Sequence, residues 1–424
     1  MSAHASPGKG WCPGALAPMP AADGLILRLR LSGRRLAPAS VAALAGCAAE
    51  FGNGAIELSA RGNLQMRGVG EAALPALRRR LDGLGLLDAD AGAERIRNIV
   101  ASPLADLDPA AVLDVAPIVA ALEGRLRWDR ALRRLPAKFG FLVDGGGVLP
   151  LGDVEADIRI EAFSGPDGPL CAVRPAGAGD LAAICAPVEA AGVAVALALV
   201  CASETADPGE RMGALIARRG AGAVFAAAGL ATAAASAARR IAIPRSYLGV
   251  NEFGASVVVG GAAPLGRTTA RDLALLAAAA ERNGAADVRL TPWRALLITG
   301  LDRAGADRLG AALESAGFLL DPADRRLGIV ACVGAPACAH AARPVAREAL
   351  ALAPLLPAGR GIMVHVSGCA KGCAHARAAP LTLVATPEGY DLVRDGKAAD
   401  APAATGLSPE AIGSLLAREF GDAR

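Results

Sequence analysis

The sequence predicts an α+β protein with two ferredoxin-like half-domains, each joined to a related α/β domain, about a pseudo-twofold axis. Three observations carry this prediction. One stretch of the chain recurs at a constant offset: Leu58 matches Leu290, and 290 − 58 = 232. Each copy runs through helical and extended periodicities in the same order. The chain has 424 residues, 53% of them hydrophobic, which suffices for several structural units around a substantial core.

The repeat justifies the half-domains. "GAIELSARGNLQMRGV" (54–69) aligns without a gap on "ADVRLTPWRALLITGL" (286–301), placing Ser59 on Thr291, Leu64 on Leu296 and Gly68 on Gly300. Helical stretches flank both copies: 41–54 parallels 273–286, and 77–87 parallels 309–319. A further strand precedes each copy, at 23–31 and 247–261. This gives the β-α-β-β-α-β order of a ferredoxin-like unit. The following segments also correspond: "RNIVASP" (97–103) matches "LGIVACV" (327–333), with Ser102 opposite Cys332. The chain therefore divides into half-domains at 20–95 and 245–325, an α/β domain lacking paired cysteines at 96–240, and a cysteine-bearing α/β domain at 326–424.

Composition narrows the function. A net charge of +3, with no Lys/Arg cluster interleaved with aromatics, argues against a nucleic-acid partner. Basic charge is carried almost wholly by Arg, which suits bidentate binding of carboxylates. The opening residues contain no apolar core of a secretory signal, so a cytoplasmic protein is expected. The longest apolar stretch, 181–202, contains Pro187 and Glu189 and reads as buried helix and strand, so no membrane partner is expected.

The nine cysteines fall singly at 12, 47, 171, 185 and 201, then as two close pairs. That is a poor disulfide framework and a good thiolate-ligand pattern. Cys332 and Cys338 are spaced C-x5-C, and Cys369 and Cys373 C-x3-C, each pair following a short apolar strand and set among glycines. Four thiolates fit a [4Fe–4S] cluster, with loop N–H groups available to tune its potential. Structural zinc is the alternative, although it favours tighter pairs. His340, His365 and His375 all fall near these cysteines. They read as packing or hydrogen-bonding groups around the site, or as ligands of a mononuclear iron.

"SARGNLQMR" reads as a strand with one polar face, formed by Ser59, Arg61, Asn63, Gln65 and Arg67. Arginine mixed with amides suggests a cavity wall that binds carboxylates. The duplicate places Trp293, Ala295, Leu297 and Thr299 at the positions of Arg61, Asn63, Gln65 and Arg67. If the two strands flank a shared cavity, one wall would be basic and the other apolar. No G-x-G-x-x-G follows a strand, so a nicotinamide site in this chain is not expected.

The C-x5-C and C-x3-C pairs on a duplicated scaffold resemble the sirohaem nitrite/sulfite reductase superfamily. "LSARGNLQMRG" (58–68), "IRNIVASP" (96–103) and "LPAKFGF" (135–141) resemble that superfamily's successive basic motifs. There are departures: Gly140 stands where sulfite reductases tend to carry a second lysine, and Lys371 and Gly372 lie between the last two cysteines. "GWCPGALAPM" (10–19), "FLVDGGGVLPLGD" (141–153) and "SGCAKGCAH" (367–375) instead resemble the precorrin-3B synthase branch.

That resemblance implies a nitrite/sulfite reductase-like architecture with one [4Fe–4S] site and a separate mononuclear non-haem iron. It implies a monooxygenase that hydroxylates precorrin-3A at C20 with O2 and closes a γ-lactone from the ring A acetate. Two electrons must come from outside, from NAD(P)H through a reductase or ferredoxin. Cys332, Cys338, Cys369 and Cys373 would hold the cluster. Arg97, Lys138, Asp144 and Lys371 are the catalytic candidates; Arg61, Asn63, Gln65, Arg67, Trp293, Arg245 and Arg377 are the substrate-binding candidates. The alternatives are a sirohaem-dependent sulfite or nitrite reductase and a zinc-stabilised tetrapyrrole carrier.

Overall fold

The computed structural model describes residues 12–31, 33–205, 207, 209–234, 246–359 and 361–420. The first half-domain contains β1 (Met19–Ala21), β2 (Gly24–Leu29), α1 (Pro38–Phe51), β3 (Ala55–Leu58), β4 (Leu64–Val69), α2 (Leu74–Gly83) and the short α3 (Ala91–Ile96). The first α/β domain follows with β5 (Ile99–Ala101), α4 (Ala116–Trp128), β6 (Phe141–Asp144), β7 (Ile158–Gly165), β8 (Gly168–Pro175) and β9 (Leu181–Cys185). Helices α5 (Ala190–Glu204), α6 (Met212–Arg219) and α7 (Ala221–Ala227) and the edge strand β10 (Ala233–Ala234) complete it.

The pattern then repeats. The second half-domain has β11 (Gly249–Phe253), β12 (Ser256–Ala262), β13 (Arg267–Thr269), α8 (Ala270–Arg282), β14 (Asp287–Leu290), β15 (Ala295–Leu301) and α9 (Arg303–Ser315). The second α/β domain has β16 (Ile329–Ala331), α10 (Val345–Leu352), β17 (Val364–Ser367), β18 (Ala379–Ala385), β19 (Tyr390–Gly396), β20 (Ala404–Leu407) and α11 (Pro409–Phe420).

Both α/β sheets begin with three parallel strands and continue antiparallel: β5-β6-β7 then β8, and β16-β17-β18 then β19. In both half-domains one strand lies centrally, β4 between β2 and β3 and β15 between β12 and β14. The helices start where local chemistry directs. Pro38 opens α1, Thr269 caps α8 by accepting from the Asp272 amide (3.1 Å), and Asp302 caps α9 by accepting from the Gly305 amide (2.6 Å).

The two half-domains exchange edges reciprocally. β13 adds to β3, with Thr268 opposite Ile56, while Leu36 bridges to Val288 on β14. The offset is the sequence repeat itself, because 268 − 36 = 288 − 56 = 232. Helices α1 and α8, equivalent by the same offset, pack on each other, and one hydrophobic core spans both half-domains. Such reciprocity is the mark of an isologous interface.

Three details differ from the sequence reading. Residues 59–63 form a tight turn, not strand, with Gly62 at φ 63°, so only Gln65 and Arg67 of the predicted polar set lie on a strand. Residues 247–261 form a hairpin rather than one strand, turning at Gly254 with φ 62°. The strand expected after the second helix of each unit is reduced, in the second half, to one bridge between Leu319 and Ala262; β11 takes that edge. No helix among the described residues is long and apolar enough to cross a membrane.

Leu44 on α1 and Leu276 on α8 are dyad mates buried in the shared core. Leu44→Ala is expected to destabilise the protein by roughly 2–5 kcal/mol. Hydrogen exchange of the β14–β15 amides, in the other half, should accelerate with it; exchange confined to the first half would contradict a shared core.

Candidate active site

Cys332 follows β16 and the second cysteine loop follows β17, the neighbouring parallel strand. The Cys332 amide donates to the Val366 carbonyl (3.2 Å), and its Sγ accepts from the Gly368 amide (3.1 Å). The Cys338 amide closes a turn onto the Gly334 carbonyl (2.9 Å). Gly368 has no room for a side chain, since a Cβ there would lie 2.6 Å from the Ala341 Cβ and 3.2 Å from the Cys332 Sγ. The Cys373 thiol feels the Cys369, Cys332 and Cys338 sulfurs; desolvation first, and these sulfurs second, push its pKa up. The two cysteine loops thus lie side by side at the ends of neighbouring parallel strands.

The duplicate loops keep the backbone and change the donors. Ser102 stands for Cys332: its amide donates to the Val143 carbonyl (2.9 Å) and its Oγ accepts from the Gly145 amide (3.0 Å). Asp108 stands for Cys338, since 338 − 108 = 332 − 102 = 230, and its amide donates to the Leu104 carbonyl (2.8 Å). The Asp108 carboxylate crosses to the second loop and accepts from the Val148 amide (2.6 Å). The space between these loops is closed by their own hydrogen bonds. Among the described residues no group of three or more His, Cys, Asp or Glu closes on a point that could hold a metal ion. Four thiolates on facing loops suit a cubane, in which each iron takes one sulfur.

The first half-domain sheet presents its polar face to these loops. Arg67 pairs bidentately with Asp23 (3.0 and 2.9 Å) and donates to the Ala337 carbonyl (3.0 Å) inside the first cysteine loop. Arg267 donates to the Ala331 carbonyl (3.0 Å), and Arg294 to the Ala374 carbonyl (2.7 Å). Farther along the same face, Arg28 donates to Gln65 Oε1 (2.8 Å) and to Cys12 Sγ (2.9 Å). Glu94, accepting from the Ala15 and Leu16 amides (2.6 and 3.0 Å), fastens the segment that carries Cys12. Arg30 is 3% exposed; its Nε donates to Asn98 Oδ1 (3.1 Å), but both terminal nitrogens are buried without a partner. Burying a guanidinium with unpaired nitrogens costs free energy, and an anion reaching it would offset that cost.

The sequence profile of the nitrite/sulfite reductase ferredoxin-like half domain matches residues 17–84 and 254–316, one stretch in each half. A precorrin-3B synthase from Sinorhizobium sp. is 34% identical over 98% of this chain and 88% of its own length. The chain belongs to the precorrin-3B synthase branch of the nitrite/sulfite reductase superfamily. It is accordingly an enzyme of the oxidoreductase class. A ferredoxin–nitrite reductase from Synechococcus elongatus is 28% identical over 93% of this chain and 86% of its own length. The solved structure of the Mycobacterium tuberculosis NirA protein superposes with a TM-score of 0.77 at 20% identity, covering 94% of this chain and 80% of that one, and shares the fold.

Within this precorrin-3B synthase relative, several predicted residues are otherwise engaged. Arg97 is buried and fully paired, bidentately with Asp88 (2.6 and 3.0 Å), with Glu123 (2.8 Å) and with the Arg30 carbonyl (3.2 Å), so it is not free to meet a substrate. Asp144 accepts from Ser102 Oγ (3.1 Å) and from the Gly146 and Leu151 amides (3.0 and 2.9 Å); it holds its own glycine loop and is no available base. Asn63 accepts from the Leu31 amide (3.2 Å) and is structural, and Gln65 is held between Arg28 and Glu57. Arg67 is committed to Asp23 and the cysteine loop rather than free for a carboxylate. Arg377 is exposed and pairs with Glu155 (3.0 Å), tying the last loop to the first α/β domain. Arg245 lies outside the described residues.

Other candidates stay accessible. Lys138 and Lys371 are exposed, and Arg61 reaches the Lys138 carbonyl (3.4 Å). Trp293 stacks on Tyr247 with centroids 4.7 Å apart, while Ala295 and Leu297 are buried in core. Arg28 and Arg30 were missed by the sequence reading; the alternation Leu27-Arg28-Leu29-Arg30-Leu31 is the signal that marks them.

Two of the three candidate histidines are in ring contact. His340 is exposed, and the His365 and His375 rings lie 5.8 Å apart. His365 is fully buried with neither ring nitrogen partnered, and burial, then His375 and Arg294, push its pKa down to about 4. Its equivalent on β6 is Leu142, since both residues pair with the second residue of the preceding strand. The unfolded chain protonates this group near pH 6.5 and the folded chain only near 4, so its contribution to stability is full above pH 6.5 and lost as pH falls towards 4. His365→Leu should therefore lessen the stability lost between pH 7.5 and 4.5 by about 2–3 kcal/mol. Urea titrations of both proteins at the two pH values check this, and equal losses would count against it.

Proposed function

We propose that this enzyme is an iron–sulfur monooxygenase that hydroxylates precorrin-3A at C20 with O2 and closes the ring A acetate into a γ-lactone, as in cobalamin biosynthesis. Cys332, Cys338, Cys369 and Cys373 would hold a [4Fe–4S] cluster, which when bound supplies electrons one at a time. The observation that carries the reading is the hydrogen bond from Arg67 to the Ala337 carbonyl. It joins the four-thiolate loops directly to a basic sheet face suited to a polycarboxylate.

On this reading the chain's own residues bind and orient. Arg30 and Arg61 take carboxylates of the macrocycle, Lys138 meets them at the rim, and the stacked Trp293 and Tyr247 offer an aromatic surface. Incorporating one atom of O2 and releasing the other as water consumes two electrons and two protons. An external donor supplies the electrons, and Lys371 stands exposed between two cysteines where such a donor would approach. For a mononuclear iron the described residues offer two imidazoles, His365 and His375.

The decisive test is aerobic incubation of iron-replete protein with precorrin-3A and a reductant. A product heavier by one oxygen atom is expected; none, from protein that carries iron and acid-labile sulfide, would refute the assignment. Sirohaem bands in the visible spectrum with nitrite or sulfite turnover would favour a reductase instead. Arg30→Met should weaken binding of a polycarboxylated tetrapyrrole by about tenfold or more, since a charge-assisted pair contributes roughly 1.5–3 kcal/mol. Tm of the ligand-free variant should hold or rise; fluorescence titration and thermal melts measure both effects.

A further inference from the structure

Two non-glycine residues of the second half-domain hold left-handed backbone where the first half has glycine. Leu265 has φ 55° and Arg294 φ 60°; their mates 232 residues earlier are Gly33 with φ 75° and Gly62 with φ 63°. A side chain in this region is disfavoured, and such residues persist where the surroundings require them. Both occur at the contact with the cysteine-bearing domain. Leu265 enters the core of that domain. Arg294 passes over Gly266, where a Cβ would lie 2.5 Å from the arginine Cδ, and donates to the Ala374 carbonyl at 2.7 Å. Ala374 directly follows Cys373. The Arg294 charge is also felt by His365 and His375, the two residues that flank the second cysteine loop.

We propose that Arg294 is a positioning residue for the cluster: it fixes the Cys369–Cys373 loop and places a permanent positive charge that favours the reduced, more negative state. The proposal rests on the reading that these cysteines hold a [4Fe–4S] cluster. Local charge and hydrogen bonding are the levers by which a protein sets such a potential. The first half has no cluster loop to hold and keeps glycine at the equivalent turn.

The test uses full-length holoprotein and two variants. Arg294→Gly installs the residue of the duplicate turn and keeps the backbone conformation accessible; Arg294→Lys keeps the charge. Redox titration followed by EPR of the reduced cluster gives the readout. Arg294→Gly should shift the reduction equilibrium about tenfold towards the oxidised state, about 59 mV for one electron. It should also release iron to a chelator several-fold faster, and Arg294→Lys should recover most of the potential. An Arg294→Gly cluster with unchanged potential and unchanged iron release overturns the proposal, and so does an Arg294→Lys protein that shifts as far as glycine. Wild-type protein without iron and sulfide refutes the cluster assignment itself, a separate result.

Discussion

The reciprocal exchange of edges between the half-domains is the constraint from which the rest follows. Thr268 pairs with Ile56 and Leu36 with Val288, and the helices behind them share one core. Neither half-domain is thereby complete alone. The exchange also fixes what each sheet faces. The first sheet sends Arg67 and Arg267 to the loops at Ala331 and Ala337, in the far α/β domain. The second sheet sends Arg289 to the Pro103 carbonyl (2.8 Å) and packs Phe253, Val258 and Leu297 against Leu104 and Leu149 of the near one.

Duplication supplied two equivalent loop pairs, and side-chain chemistry then separated them. A serine hydroxyl and a cysteine thiol accept from the same amide in the two halves. Oxygen at Ser102 and Asp108 is small and strongly accepting, so it draws the facing loop amides in and satisfies them. Sulfur at Cys332 and Cys338 accepts weakly and binds soft metals well. Together with Cys369 and Cys373 in the second loop, these substitutions on a similar strand-and-loop backbone make one site a closed network and the other a candidate metal centre.

The repeat was legible because its offset is constant through strand, turn and helix, a periodicity that composition cannot mimic. The cysteine loops were legible because spacing and flanking glycines are local features. The arginines were not. Arg97 looks available in the sequence, and nothing near it announces that Glu123, 26 residues on, will accept its charge. Asp144 looks like a turn former or a base, and it is the first. The stretch 59–63 keeps strict polar alternation yet turns, because Gly62 at φ 63° and Ser59 accepting from the Asn63 amide (3.2 Å) favour a tight reversal over extension. Arg30 went unnoticed although the alternation of its strand marks it, because what sets it apart is two nitrogens left without partners, which the sequence does not show.

The inequality of the two loop pairs has a consequence for whatever docks at these strand ends. In a truly symmetric duplicate either pair would serve a guest equally well. Here Ser102 and Asp108 spend their oxygens on their own loop amides, whereas Cys332 and Cys338 set sulfur in the corresponding places. A guest that needs soft donors is thereby directed to one half of the molecule and away from its twin.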